Sequence, residues 1–153
     1  MNKKQTDILN DYFLHSALHL ITLEEQCLKK SCAPDLSIRE LHVVEAVAAL
    51  AESGKNTMAE IARYLRLSPA SLTTAVNVLV KKEYIVRDYS PLDRRVIFVK
   101  LTEKGEKANR VYLDFVKDMI CSVTADLDEQ AADEMIATML KLCEYLEDGA
   151  KEE

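Results

Sequence analysis

The side chains that could do chemistry in this sequence sit near its middle. Ser68, Ala70, Ser71, Thr73, Thr74, Asn77 and Lys81 fall on one side of a helical wheel whose other side is Leu72, Ala75, Val76, Leu79 and Val80. Asp93, Arg94 and Arg95 follow in a polar turn. The helical set is short, rich in hydroxyls, and carries one amide and one terminal cation. Groups of this kind exchange hydrogen bonds at close range. A helix that enters the major groove of a duplex needs short side chains near its N-terminus to reach base edges. Its first N–H groups, with the hydroxyls of Ser68 and Ser71, suit phosphate oxygens. Two guanidiniums on a turn suit a neighbouring minor groove, whose negative potential attracts arginine.

Other constellations are weaker. His15 and His19 are four residues apart, a spacing that can place two imidazoles on one metal ion, but no third ligand stands nearby. Glu24, Cys27, Glu40 and His42 do not complete a set, so neither a metal nor another cofactor is expected. Cys27 and Cys32 have Lys29 and Lys30 close in sequence, the setting of an oxidation-sensitive thiol, but nothing else supports that role. Cys121 and Cys143 fall on apolar helical stripes, where buried thiols are common. No nucleophile with a base and acid, glycine-rich phosphate loop or paired-carboxylate motif appears, so the chain is read as a non-enzyme.

The elements that must position these residues follow from caps and periodicity. Thr57 with Glu60 is a capping box that opens a helix with Met58, Ile61, Ala62 and Leu65 on one face. The chain turns at Arg66-Leu67. Ser68 then caps a second helix with Pro69 in its first turn, where the missing N–H costs nothing. Residues 84–89 read as a strand, 90–95 as a turn and 96–101 as a returning strand, so the arginines lie at a hairpin tip. Upstream, residues 6–30 read as one long helix that is apolar on more than one side, which a partner subunit would explain. Ser31–Asp35 breaks the chain, and Ser37 with Glu40 opens a helix to about Glu52, with Ile38, Leu41, Val44, Val47, Ala48 and Ala51 inward. Thr102 caps a helix from about Glu103 to Ala125, with Val111, Phe115, Val116, Met119 and Val123 inward. Asp126 or Asp128 caps the last helix, to about Leu146, whose stripe is Ala132, Met135, Ile136, Met139, Leu142, Cys143 and Leu146.

The fold class expected is mainly α (α+β): a winged helix-turn-helix over about 37–102, with dimerisation helices over about 6–30 and 104–148 of a single 1–153 domain. The chain's 153 residues suffice for one core. No apolar run approaches the roughly 18 residues of a membrane span, and no signal-like segment opens the chain, so a cytoplasmic protein without a membrane partner is expected. The net charge of −6 is unevenly spread. Residues 57–107 hold ten Lys and Arg against six Asp and Glu, while the remainder holds ten against twenty. Positive potential is thereby concentrated on the helix and hairpin that would meet phosphates.

The run Asp93-Arg94-Arg95-Val96-Ile97-Phe98-Val99-Lys100-Leu101-Thr102-Glu103-Lys104-Gly105 resembles the wing signature of the MarR family of bacterial transcription regulators. The likeness extends over nearly the whole chain. It implies a homodimer of interleaved first and last helices, a pseudo-palindromic double-stranded DNA operator, and a repressor modulated by an effector. The family's common wing arginine falls on Arg95, with Asp93 pairing to one arginine while the other reaches DNA. Many relatives carry Gly just after the recognition helix, where this chain has Glu83; an adjusted cap is expected there. Asp35–His42, Leu72–Asn77 and Tyr84-Ile85 are similar to the FabT-like branch, repressors of fatty-acid synthesis. That branch implies long-chain acyl groups on acyl carrier protein as co-repressor, in a pocket with Tyr12, His15, His19 and His42 as candidate residues. A small-molecule effector in a drug-, phenolic- or redox-responsive regulator is the alternative, and a winged-helix protein-interaction module without DNA binding is the alternative of another class.

Overall fold

The computed structural model describes residues 1–31, 33–90, 93 and 95–149. Arg94 and Cys32, both singled out from the sequence, lie outside the described residues. Two compact units divide the chain, Met1–Phe115 and Val116 onward.

The first unit opens with α1 (Lys3–Asp11), passes through a π-helical turn (Tyr12–Ser16) and continues as α2 (Ala17–Lys30). The expected helix over 6–30 therefore starts earlier, because Asn2 and Gln5 form a capping box upstream. The π turn also widens it by one residue per turn and re-aims the apolar face that follows. That face is uncovered within the protomer: Leu14 is 69% and Leu18 63% exposed, and Ile8, Tyr12, Phe13 and Ile21 are exposed with them.

After the break come α3 (Ile38–Ala51), α4 (Met58–Tyr64), α5 (Pro69–Lys81), β1 (Ile85–Tyr89) and β2 (Ile97–Leu101). Ser37 and Glu40 form both halves of the expected box that starts α3. This helix is buried on two sides, since Val43 and Ala46 join Leu41, Val44 and Val47 in the core while Ala51 is exposed. The single stripe expected was too narrow because α3 packs against α2, α4, α5 and β2 together. Around it close Ile61, Leu72, Val76, Leu79, Tyr84, Ile85 and Val99, none more than 1% exposed.

The caps of α4 and α5 share one device. The N–H of Leu67 bonds the carbonyl of Ala62 (2.9 Å) and that of Arg66 the carbonyl of Arg63 (3.1 Å), with Arg66 at φ 53°. At the end of α5, Tyr84 N–H bonds Leu79 O (3.0 Å) and Glu83 N–H bonds Val80 O (3.1 Å), with Glu83 at φ 63°. These are Schellman closures, in which the residue after the cap takes the left-handed conformation favoured by glycine. The adjusted cap expected at Glu83 is thus overturned. The backbone keeps the glycine-like geometry and accepts a cost of about 1 kcal/mol, because the paired bonds aim the chain from α5 into β1.

The sheet is a two-stranded antiparallel ribbon, Ile85 opposite Leu101 and Tyr89 opposite Ile97. Its second strand is also held from outside. Val99 N–H donates to Asn56 O (2.8 Å), Asn56 Nδ2 donates to Val99 O (2.7 Å), and Thr57 bridges Phe98. Asn56 is buried, and this anchoring was not foreseen. Thr57 caps α4 by accepting from Glu60 N–H (3.3 Å), while the Glu60 carboxylate takes Arg63 Nη2 (2.8 Å) in place of the expected second half of the box.

Helix α6 (Glu103–Thr124) begins in the first unit. Thr102 accepts from Gly105 N–H and donates through Oγ1 to Glu83 O (2.6 Å), so the base of the hairpin is tied to the end of α5. A Cβ at Gly105 would lie 2.1 Å from Tyr84 O, which is why the wing signature must end in glycine.

In the second unit, Asp128 caps α7 (Glu129–Gly149) through Ala131 N–H (2.8 Å). Cys121 and Cys143 are exposed here, against the burial expected of them. The reason is that the stripes they sit on, with Val123, Ile136, Met139 and Leu146, are exposed in the protomer.

Candidate nucleic-acid interface

All seven residues singled out on α5, Ser68, Ala70, Ser71, Thr73, Thr74, Asn77 and Lys81, are exposed, and Leu72, Val76 and Leu79 behind them are fully buried. The amphipathic split is complete: the polar face is presented by a helix that cannot rotate without opening the core.

Their hydrogen bonds limit what each can offer. Ser68 Oγ caps the helix by accepting from Ser71 N–H (3.1 Å), and the two hydroxyls lie 2.8 Å apart. Thr73 Oγ1 donates to Pro69 O (2.7 Å) and Thr74 Oγ1 to Ala70 O (3.1 Å). The threonine protons are therefore engaged by the helix, leaving oxygen lone pairs and methyl groups outward. Asn77 Oδ1 accepts from Arg87 Nη2 at 2.8 Å, a strand-to-helix contact the sequence reading did not include.

At the hairpin tip the Asp93 carboxylate accepts the backbone N–H of Arg95 (2.9 Å), and Val96 N–H bonds Asp93 O (2.9 Å). The short Asp93 carboxylate reaches the amide two residues on and closes the turn where pairing with the Arg95 side chain was one expectation; Arg94, the other candidate partner, lies outside the described residues. The Arg95 guanidinium is left exposed.

A second network ties the start of α3 to the end of α5. Lys82 Nζ donates to both Glu40 oxygens (3.0 and 2.9 Å) and to Asp35 O. Tyr84 OH donates to Asp35 Oδ1 (2.6 Å), and Lys104 Nζ sits 4.0 Å above the Tyr84 ring. The Tyr84 hydroxyl, helped by Lys104 and Lys82, holds the Asp35 carboxyl below its ordinary value. Burial works against the Glu40 carboxylate, but Ser37 N–H and Lys82 outweigh it and keep its pKa low.

The four residues singled out for an effector differ in their settings. Tyr12, His15 and His19 are exposed on the first helices, with His15 Nδ1 2.9 Å from Asp11 Oδ1. His42, on α3, is half-exposed. Its Nε2 is 3.8 Å from Oε1 of the buried Glu24, which accepts from Tyr112 OH at 2.8 Å. Burial first, then Glu24, pushes the Tyr112 hydroxyl well above its ordinary pKa. The same two causes push the Cys27 thiol up, away from the reactive thiolate. Among the described residues no cluster of three or more His, Cys, Asp or Glu could hold a metal ion. His42 also lines a cavity of about 630 Å³ with Arg39 and Val43 on α3, Leu65 and Leu67, and Ser71, Thr74 and Ala75 on α5. Among the described residues no helix is long and apolar enough to cross a membrane.

Comparison with known proteins places this geometry. Residues 35–96 match the model of the MarR family. HTH-type transcriptional regulator YpoP of Bacillus subtilis is 35% identical over 83 residues, 51% of this chain and 59% of that protein. The chain spans about half the length of the curated relatives it matches. Among solved structures, Streptococcus pneumoniae FabT in complex with DNA superimposes with a TM-score of 0.83 at 28% identity, covering 94% of this chain and 98% of that one. The S. aureus MepR–DNA complex superimposes at 0.72 with 20% identity, covering 88% and 93%, a likeness of fold.

Proposed function

We propose that this chain, whose residues 35–96 match the model of the MarR family of transcription regulators, is a homodimeric repressor that reads a pseudo-palindromic duplex operator. The observation that carries the proposal is the exposed polar face of α5, backed by a closed core and followed by a hairpin that presents Arg95. The extent of the likeness to DNA-bound FabT supports it. In this reading α5 enters the major groove. Ser68, Ser71 and Lys81 meet phosphates, Ala70, Thr73, Thr74 and Asn77 face base edges, and Arg94 and Arg95 reach the minor groove. The exposed apolar faces of α1, α2 and α7 are covered by a second copy, which sets the two α5 helices about one DNA turn apart.

The cavity beneath α5 favours an effector reading as well. Ser71 and Thr74 belong both to its lining and to the DNA face, so a ligand there acts on the reading helix directly. The walls of Val43, Leu65, Leu67 and Ala75 suit an acyl chain, as the likeness to FabT suggests.

Selection of genomic fragments by the purified protein, followed by titration with salt, tests the proposal. An enriched palindrome whose binding weakens about 10³-fold or more between 50 and 200 mM salt is expected of a protein with six or more phosphate contacts. No enrichment, or affinity indifferent to salt, identifies a protein-interaction module instead. Acyl carrier protein loaded with a long acyl chain is expected to change operator affinity where the unloaded carrier does not.

A further inference from the structure

Resting on the reading of α5 as a DNA-recognition helix, we propose that Arg87 determines base preference by fixing the amide of Asn77, so that this position prefers adenine over guanine.

Arg87 is a strand residue, and its register explains its reach. In β1 the side chains alternate, and Arg87 leaves the sheet on the same face as the buried Ile85, towards α5. There Nη2 donates to Asn77 Oδ1 at 2.8 Å. Arg87 is half-buried, while Asn77 is exposed on the reading face.

The consequence follows from amide symmetry. An unanchored Asn side chain can rotate by half a turn and exchange its oxygen for its nitrogen at nearly the same place, so it can offer either a donor or an acceptor. A guanidinium carries donors only. With Arg87 on one side of Oδ1, the exchanged orientation would set the Nδ2 hydrogens against the Arg87 hydrogens. The oxygen is therefore held on the Arg87 side, and Nδ2 is held away from it.

That orientation has a definite meaning in the major groove. Nδ2 donates, and Oδ1 retains one lone pair that accepts. Adenine presents an acceptor at N7 and a donor at N6, which match both. Guanine presents acceptors at N7 and O6, and the second would face the amide oxygen. The surrounding hydroxyls do not blur this choice, because the protons of Thr73 and Thr74 are given to Pro69 O and Ala70 O. Asn77 Nδ2 is thus the neutral donor of this part of the face, and Arg87 decides where it points. Arg87 acts as a positioning residue and need not touch DNA itself.

Selection from a random duplex library tests the proposal with the intact protein, Asn77→Ala, Arg87→Met and Arg87→Lys, each first matched for folding by its urea midpoint. The wild type is expected to show one adenine column per half-site that Asn77→Ala flattens. Arg87→Met is expected to flatten the same column, lowering discrimination there from on the order of 10- to 100-fold to within a few-fold, while the other columns stay sharp. Arg87→Lys, which keeps a cationic donor, restores part of the preference. An unchanged adenine column in Arg87→Met overturns the proposal. So does a uniform loss of affinity with every column intact, which marks Arg87 as a phosphate contact. A wild type that enriches no sequence removes the DNA reading, and this inference with it, and is distinguished by the absence of any motif.

Discussion

The reading head and the long helices are built to different standards of completeness. Around α3, α5 and the wing, Val44, Val47, Ile61, Leu72, Val76, Leu79 and Val99 are fully buried, and the helix ends are closed by backbone and side-chain bonds. Along the π turn and α2, Leu14 and Leu18 are more than half exposed, and α7 leaves Ile136, Leu140 and Leu146 open in its own unit. Each stripe has the periodicity of a packed surface. What differs is whether the same chain supplies the opposing surface. The head is finished by its own residues; each arm leaves large apolar side chains exposed, as interfaces do. In the proposed reading the head holds a fixed shape against DNA while what covers the arms sets its spacing.

The widest separation between the two regions should come from Leu72→Ala. A cavity beneath α5 is expected to cost about 2–5 kcal/mol in urea unfolding without changing the association state. Leu18→Ser, at an exposed arm position, should change the stability of a dilute protomer by no more than about 0.5 kcal/mol, yet shift sedimentation towards the monomer. Equal effects of the two substitutions on folding would erase the distinction drawn here.

Gly105→Ala comes next. The added Cβ meets the Tyr84 carbonyl, and displacement of α6 from the wing should cost about 1–3 kcal/mol. Lys82→Met is expected to cost a similar amount, about 1–3 kcal/mol at pH 7, by stranding Glu40. The pH dependence gives this prediction its sign. Asp35 and Glu40 both have folded pKa values held low, so their contribution is complete above the ordinary carboxylate pKa of about 4 and is lost as pH falls through the folded values. Urea midpoints of wild type and Lys82→Met should converge in acid; a gap that persists at pH 2 would show that Lys82 acts through packing alone. One effect runs the other way. Glu83→Gly should stabilise the head by about 1 kcal/mol, since glycine takes φ 63° without strain.

Much of the head was legible because its signals are local. The Ser37, Thr57, Ser68 and Thr102 caps, the exposed set from Ser68 to Lys81 and the hairpin at 85–101 each depend on residues a few positions apart. Contacts that span the chain were not legible. Asn56 with Val99, Arg87 with Asn77, Lys82 with Glu40 and Glu24 with Tyr112 join residues that no periodicity relates. The setting of His42 beside Glu24 was not legible for the same reason, since bearing an imidazole does not say which way a helix is turned.

The sequence by itself determined where α3 to α6 start and stop, which face of α5 stays polar, and that the wing ends in a glycine. Those outcomes rest on caps and on side-chain spacing along a single element. Only the tertiary structure decided that Glu83 keeps a left-handed backbone, that Asn56 holds Val99 and that Arg87 holds Asn77. Each of these depends on the direction in which one element meets another, and direction is set by packing the whole core.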